Sequence, residues 1–524
     1  MTAKYTQHIA GSREWIGLGV MCLATLFIAA DSFVLMQALP DIVVDTHADG
    51  IEQLWISDIY GIVLGSLLIT MGGLGDRVGR RRLFLIGVAA FGTASAVAAY
   101  ATGPGTLIVA RALLGVAAAA LIPSTLGLIR TMFREPRQMG VAFGIWASFY
   151  TIGAVAGLLV GGVLLAHFWW GSVFLVNVPA AVLVLVLAPL VLPGQRDTEA
   201  GRPDWTSSLL SLAAILPAVW GVKEVSRDGW GLVPIAAVVV GALFGWAFVR
   251  RQRTLEHPLL DLSLFRNRSF ATPLLALFVQ ALLTGTVLLF LMLDFQLVEG
   301  LTPLQAAFGL APGLVLSSLC APVVGVLARR FRPAHLMAWG EVLVIIGLVL
   351  VIVASTTGTP VLFVVGFALW SAGGSPLLAI GMTLMVGSVP VDRAGAAAAA
   401  PQVSAELGNA IGVAVVGSAA VALYHARMSG SLPPEVPADV AATASQSIAN
   451  AAQASATLPP ELARVVFDQA RLAFSTSLQV LTGFTAVVLA FVVLMIAVRL
   501  RHVPPLGQEA PEPAPIPDVV EELR

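Results

Sequence analysis

The sequence predicts an all-α membrane protein: fourteen transmembrane helices, arranged as two six-helix bundles with two extra helices between them. Three observations carry that expectation. Of the 524 residues, 58% are hydrophobic and only 11% charged, with a mean hydropathy of +0.90, whereas soluble domains carry roughly a quarter charged residues. Fourteen apolar windows follow one another, each of about twenty residues and so long enough to cross the hydrocarbon core. Finally, a turn rich in glycine and arginine after the second window, Gly72-Gly-Leu-Gly-Asp76-Arg77-Val-Gly79-Arg80-Arg81-Arg82, has an echo after the tenth, Gly325-Val-Leu-Ala-Arg329-Arg330-Phe-Arg332. The two turns correspond only if each half holds six spans and two more lie between the halves.

The first bundle occupies 1–192, with spans at 15–38, 54–74, 83–101, 106–130, 140–166 and 170–192. The first window is too long for the core of a cleavable signal and carries Asp31, so it reads as a span. The Arg77–Arg82 cluster cannot lie in hydrocarbon and marks a surface turn, in which Gly72, Gly75 and Gly79 permit a tight bend and close helix approach. In the fifth span Gly153, Gly157 and Gly161 recur every four residues beside Gly162, a face bare of side chains that serves either static packing or gating. A polar linker and two spans, 206–223 and 232–250, fill 193–252. The second bundle, 253–500, holds spans at 269–292, 303–327, 334–354, 360–387, 395–424 and 473–498. Within it, 429–471 is expected to form a helical hairpin outside the membrane, including an amphipathic helix from Pro459; a disordered linker is the competing reading. The tail at 501–524, rich in proline and glutamate, is expected to be disordered.

Arginine fixes the orientation. With an even number of spans both termini share a side, and on it fall Arg13, Arg77–Arg82, Arg130, Arg134, Arg250, Arg251, Arg253, Arg329, Arg330, Arg332 and Arg499. The opposite side receives Lys223, Arg227, Arg427, Arg464 and Arg471. Both termini are therefore expected in the cytoplasm, with the chain in the inner (plasma) membrane. Cys22 and Cys320 lie inside apolar runs and read as small core residues.

Ionisable groups inside spans are costly and therefore candidates for function. The first bundle offers Asp31, Asp58 and Arg111; the second offers Glu406, Glu341 and Asp294. Each has a bland alternative: a helix cap for Asp58, interfacial packing for Glu406, Glu341 and Asp294, snorkelling for Arg111. A buried carboxylate that takes a proton on one side of a membrane and releases it on the other, binding an organic cation in between, has the minimum chemistry of an exchanger. Arg111 keeps its charge and needs a carboxylate or carbonyl partner. Phe33, Met36, Trp55, Tyr60, Trp146 and Tyr150 offer surfaces for cation stacking, though most fit a core or lipid-facing role.

The turn Gly-x-Leu-x-Asp76-Arg77-x-Gly79-Arg80-Arg81 resembles the signature loop of the major facilitator superfamily of secondary transporters. The resemblance narrows to its fourteen-span drug:proton antiporters, the EmrB/QacA-like family. It rests on Asp31 with Ala38-Leu-Pro40, Gln53-Leu-Trp55-Ile-x-Asp58-Ile-Tyr60, Arg111-x-Leu-Leu-Gly115, Pro123-Ser-Thr125, Asn177-Val-Pro179 and Pro258-Leu-Leu-Asp261-Leu-x-Leu-Phe265. It implies proton-driven, alternating-access export of lipophilic cations (quaternary ammonium antiseptics, dyes), with Asp31, Asp58 and Glu406 binding proton or drug. It also implies that Gly72, Asp76, Arg77, Gly79 and Arg80, with the glycines of the fifth span, act as gating elements. Three departures stand out: Gly157-Leu158-x-x-Gly161-Gly162 lacks the family's proline, Ser317 or Ser318 occupies a position acidic in some exporters of divalent cations, and Pro401-Gln402 stands where such pumps can carry further acids.

The competing expectations are export of one specific antibiotic, natural product or lipid, and a membrane receptor or membrane-embedded enzyme. Seven scattered histidines and the lack of a phosphate-binding loop speak against metal or ATP chemistry. The expectation is thus not an enzyme, with no cofactor beyond the proton gradient. Its partners would be small lipophilic cations, protons and the bilayer, without nucleic acid, and the chain would act as a monomer.

Overall fold

Several helices of the computed structural model start at side-chain caps visible in the sequence: Asp49, Asp204, Asn267 and Thr302. The structure describes residues 10–194, 204–229, 231–255, 262–389 and 394–505, without the side chains at 76, 136, 137, 226–228, 262, 263 and 394–399. The expected polar linker before Asp204, the tail beyond 505 and the Asp76 carboxylate lie outside that description. Among the described residues fourteen helices are long and apolar enough to cross a membrane. The protein is a multi-pass membrane protein.

The first half comprises α1 (Ser12–Thr46), α2 (Gly50–Val78), α3 (Arg80–Ala99), α4 (Pro104–Met132) and α5 (Pro136–His167), with α6 (Ser172–Leu175) and α7 (Asn177–Val191) sharing the sixth span. Asp49 caps α2, its Oδ1 accepting from the N–H groups of Ile51 (2.9 Å) and Glu52 (2.7 Å), while the Glu52 carboxylate accepts from Asp49 N–H at 3.0 Å. This reciprocal box satisfies donors that a helix start leaves unpaired. Gly79 ends α2 and starts α3 at φ +104°, a conformation that costs a residue with a Cβ dearly.

The insert is α8 (Trp205–Asp228) and α9 (Leu232–Gln252). The second half comprises α10 (Arg268–Leu293), α11 (Pro303–Leu327), α12 (Pro333–Thr357), α13 (Pro360–Gly387), a span built from α14 (Ala394–Gly412) and α15 (Ser418–Ser431), and finally α18. A π turn, Val413–Gly417, joins α14 to α15, and another, Asp294–Val298, extends α10. Short helices α16 (Ala438–Ala444) and α17 (Ile448–Ser455) lie between the last two spans. The residues after Pro459 differ from expectation. They do not make a separate amphipathic helix but run straight into the last span as α18 (Pro460–Arg499). Nothing between Phe467 and Ser477 breaks the helical pattern, so the chain crosses the membrane boundary without a turn.

The halves meet through small residues. A Cβ on Gly153 or Gly157 would fall within 2.5–2.6 Å of the Leu26 or Ala30 carbonyl oxygen of α1, and one on Gly162 within 2.7 Å of the Leu304 Cα of α11. The stripe thus does two jobs: most of it seats α5 on α1, and Gly162 seats α5 on the other half. Gln37 Nε2 donates to the Pro303 carbonyl oxygen at 2.8 Å. Opposite, Gly61 and Gly65 of α2 abut Ala410 and Leu407 of α14. The segment carrying α16 and α17 bridges the halves at the same end, with Asn450 Nδ2 donating to the Ala48 carbonyl oxygen (3.3 Å) and Tyr424 Oη to that of Ala444 (2.9 Å). These cross-half contacts run from the end of the molecule opposite the Arg77–Arg82 turn to the middle of α2, where Gly65 meets Leu407.

Candidate functional site

Helix α2 is the hub: one face meets α4 of its own half, and the opposite one meets both the insert and the second half. Asp58 and Tyr60, two residues apart and so roughly 200° around the helix, point away from each other. Gly61, one turn beyond Asp58, turns toward the second half.

On the inner face of the first half, Asp31 of α1 forms an ion pair with Arg111 of α4, both side chains 1% exposed. The second carboxylate oxygen of Asp31 accepts from Asn177 Nδ2 (3.2 Å), which also reaches Ser95 Oγ (3.3 Å). Arg111 adds a bond from Nε to the Ile56 carbonyl oxygen at 3.4 Å, and its guanidinium sits 4.7 Å from the centre of the Tyr60 ring. The backbones of α2 and α4 come close enough for this because of Gly115, whose Cβ would lie 2.7 Å from the Tyr60 carbonyl oxygen. The partner expected for Arg111 is therefore Asp31. A charge held by a carboxylate, a carbonyl and an aromatic ring is not snorkelling.

The outer face holds Asp58, whose carboxylate binds the Lys223 ammonium of α8 at 3.0 Å (Oδ1) and 2.9 Å (Oδ2), with both side chains 0% exposed. Lys223 Nζ also stands 3.8 Å from the centre of the Trp55 ring. This corrects the placement of Lys223 among the loop charges: α8 continues to Asp228, and Lys223 lies inside the membrane helix. The apolar pattern persists at Val222 and Val225, but Glu224 beside Lys223 and Arg227-Asp228 just beyond make the stretch read as a span edge. Trp55 and Tyr60 do stack on cations, and both cations are the protein's own.

Toward the second half, Glu406 of α14 lies beside Gly61, where a Cβ would be 3.9 Å from its Oε2. Its Oε1 accepts from Gln402 Nε2 at 2.8 Å. Glu341 of α12 is buried and accepts from Gln280 Nε2 at 2.9 Å, its other oxygen having no partner. Asp294, buried at the head of its π turn, has neither carboxylate oxygen hydrogen-bonded. Asp31, Asp58 and Glu406 thus gather around α2, whereas Glu341 makes its hydrogen bond within the second half and Asp294 sits at the far end of α10. Ser317 pairs with Ser375 Oγ at 3.0 Å, and Ser318 donates to the Leu314 carbonyl oxygen of its own helix at 3.2 Å.

The arginine turn packs on its own half. A Cβ on Gly127 of α4 would overlap the Arg80 guanidinium, and Gly72 and Gly75 abut Pro123 and Ser124 of the same helix. Arg81 donates to the Pro189 carbonyl oxygen at 2.7 Å, and Arg77 is exposed.

The sequence profile of the Major Facilitator Superfamily matches residues 21–413. The chain belongs to the major facilitator superfamily. Among its relatives in this superfamily is the multidrug efflux pump LfrA of Mycolicibacterium smegmatis, 40% identical over 93% of this chain and 95% of that one. The methyl viologen resistance protein SmvA of Salmonella typhimurium is 34% identical over 88% and 93%. The tetracenomycin C resistance and export protein of Streptomyces glaucescens is 29% identical over 96% and 95%. The superfamily's fold recurs in a bacterial homologue of the human lysosomal transporter Spinster, with a TM-score of 0.65, 14% identity and 96% and 100% coverage. Family and fold are those of a transporter. Hydropathy alone leaves Lys223 at a span edge, and Ser95 and Asn177 meet the Asp31 carboxylate only through the packing of α3 and α7.

Proposed function

We propose that this transporter is a drug exporter of the inner (plasma) membrane. In this reading lipophilic cations leave by alternating access as protons enter, and both chain termini lie in the cytoplasm. The observation that carries the reading is the buried Asp31–Arg111 pair next to Tyr60, one residue from the glycine that faces Glu406 across the seam. Protonating Asp31 removes half of that pair and leaves Arg111 a buried charge with only a carbonyl and a ring, a state that favours rearrangement of α1 against α4. A proton thus changes the packing of the half that carries the seam, which is what coupling requires. Glu406 and Asp58 would supply negative charge to a cationic drug. The names of the relatives, two resistance proteins and a multidrug pump, support drug efflux.

Dye efflux tests it. Cells expressing the protein should extrude ethidium, and an uncoupler should stop that extrusion. Extrusion that continues undiminished with the gradient collapsed would exclude proton coupling.

A second reading, export of one specific natural product, is favoured by the relatives named for tetracenomycin C and for puromycin resistance. It predicts efflux of a single compound and none of ethidium.

A further inference from the structure

We infer that Lys223 is a resident cation: its ammonium fills the carboxylate-and-ring cage of Asp58 and Trp55 when no drug is present, and a cationic drug must displace it. This rests on the export reading above and names what sets the charge preference of the site.

The geometry reproduces, with a protein group, the contacts an organic cation needs. Both Asp58 oxygens lie within 3.0 Å of Lys223 Nζ, and the Trp55 ring is centred 3.8 Å from it. A carboxylate and an aromatic face together are the usual recognition of an alkylammonium group. A purely structural strut does not require that pairing, and the chain's habits argue against one. Only two of its 29 basic residues are lysines. Arginine would hold a carboxylate by a planar fork, whereas the compact ammonium on a flexible stem can withdraw along its own helix.

The location suits exchange. Lys223 comes from the insert, not from either bundle. One turn earlier, Val219 of α8 packs with Ile62 of α2 and with Ala410 and Ala414 of the second half, bordered by the partly exposed Trp55. The cage is closed, with both charged groups fully buried, and it borders the apolar seam between the halves. Ala414 lies in the π turn that joins α14 to α15, a distortion frequent at functional positions. Displacing Lys223 would break the one α8–α2 ion pair among the described residues, leaving the Val219–Ile62 packing and the Thr70–Ser208 hydrogen bond, so the insert would register whether the site is filled.

Two measurements on the purified full chain test this. The first reads the lysine directly. Acetic anhydride labelling of Lys223, followed by peptide mass, should rise severalfold when saturating tetraphenylphosphonium is present. The second reads the site. Lys223→Met should bind ethidium about tenfold more tightly than wild type by fluorescence anisotropy, about the difference made by one lost competitor. Asp58→Asn/Lys223→Met, which removes both charges together, should lose that gain. The labelling result stands even where Lys223→Met does not fold. Tetraphenylphosphonium binding that leaves Lys223 labelling unchanged or lower would overturn the inference alone and make the pair a strut. Failure of the wild-type protein to bind either cation would overturn the inference and the cationic export reading together.

Discussion

The Asp31–Arg111 pair sets what substitutions at the site do. Removing one member of a buried pair strands the other charge, at a cost of about 3–5 kcal/mol. Asp31→Asn should therefore abolish energised ethidium efflux and also lower the melting temperature of the purified protein. Asp31→Asn/Arg111→Gln should recover most of the melting temperature and none of the efflux, as scanning fluorimetry and efflux on the same preparations would show. Recovery of efflux in the double variant would take the pair out of the coupling path. A second residue-level expectation concerns the arginine turn. Gly127→Ala places a methyl where the Arg80 side chain lies, so Arg80 must leave the α4 surface. Because that turn packs on its own half here, transport rate should fall more than drug affinity, measurable as a drop in efflux velocity at unchanged ethidium Kd.

Among the elements, α8 departs most from what its sequence promised. It reads as an apolar accessory helix, yet it carries a buried ammonium into α2 and a capped, ion-paired start. Asp204, just before the span, caps α8 through Ser207 N–H (3.1 Å) and meets Arg251 of α9 at 3.0 Å. Partial burial raises its pKa, but hydrogen bonds from Ser207 and the Arg251 charge outweigh that and leave it lowered. The charged form therefore stabilises the fold at pH above the ordinary aspartate value of about 4, and that stability is lost as pH falls through the lower folded value. Asp204→Asn, which keeps a capping oxygen, should melt slightly below wild type at pH 7. The effect should be under about 1 kcal/mol, since Arg251 is one-third exposed. The gap should narrow as pH falls below about 4; a gap that widens on acidification would refute the assignment. In α5, Gly157→Leu meets the α1 backbone and should prevent stable insertion, seen as loss of membrane-fraction protein.

At the scale of the molecule, the spans and the two-fold plan were legible because hydrocarbon demands long apolar runs and the arginine turns recur with the repeat. Span edges were less so. Lys223 sat at a boundary drawn from hydropathy, which cannot tell a charge that leaves the membrane from one that finds Asp58 inside it. The carboxylates were legible as rare charges, their partners were not: Asn177, Ser95 and Lys223 reach them only through packing of helices far apart in sequence. The run from Pro459 looked separate because its polar face ends where the membrane begins, although the helix itself does not. Orientation has its own test. With Cys22 and Cys320 replaced by alanine, Glu435→Cys in the hairpin segment should react with an impermeant maleimide added outside intact cells, and Arg330→Cys only after lysis; the reverse pattern would invert the molecule.

Proton-for-drug exchange through Asp31 is the central claim, and proteoliposomes measure it most directly. With the purified protein reconstituted and a pH-sensitive dye trapped inside, tetraphenylphosphonium supplied on one side should drive proton flux in the opposite direction. Asp31→Asn/Arg111→Gln vesicles, folded and cation-binding, should show none. Cation transport without proton flux in the wild type, or undiminished flux in the double variant, would contradict the account.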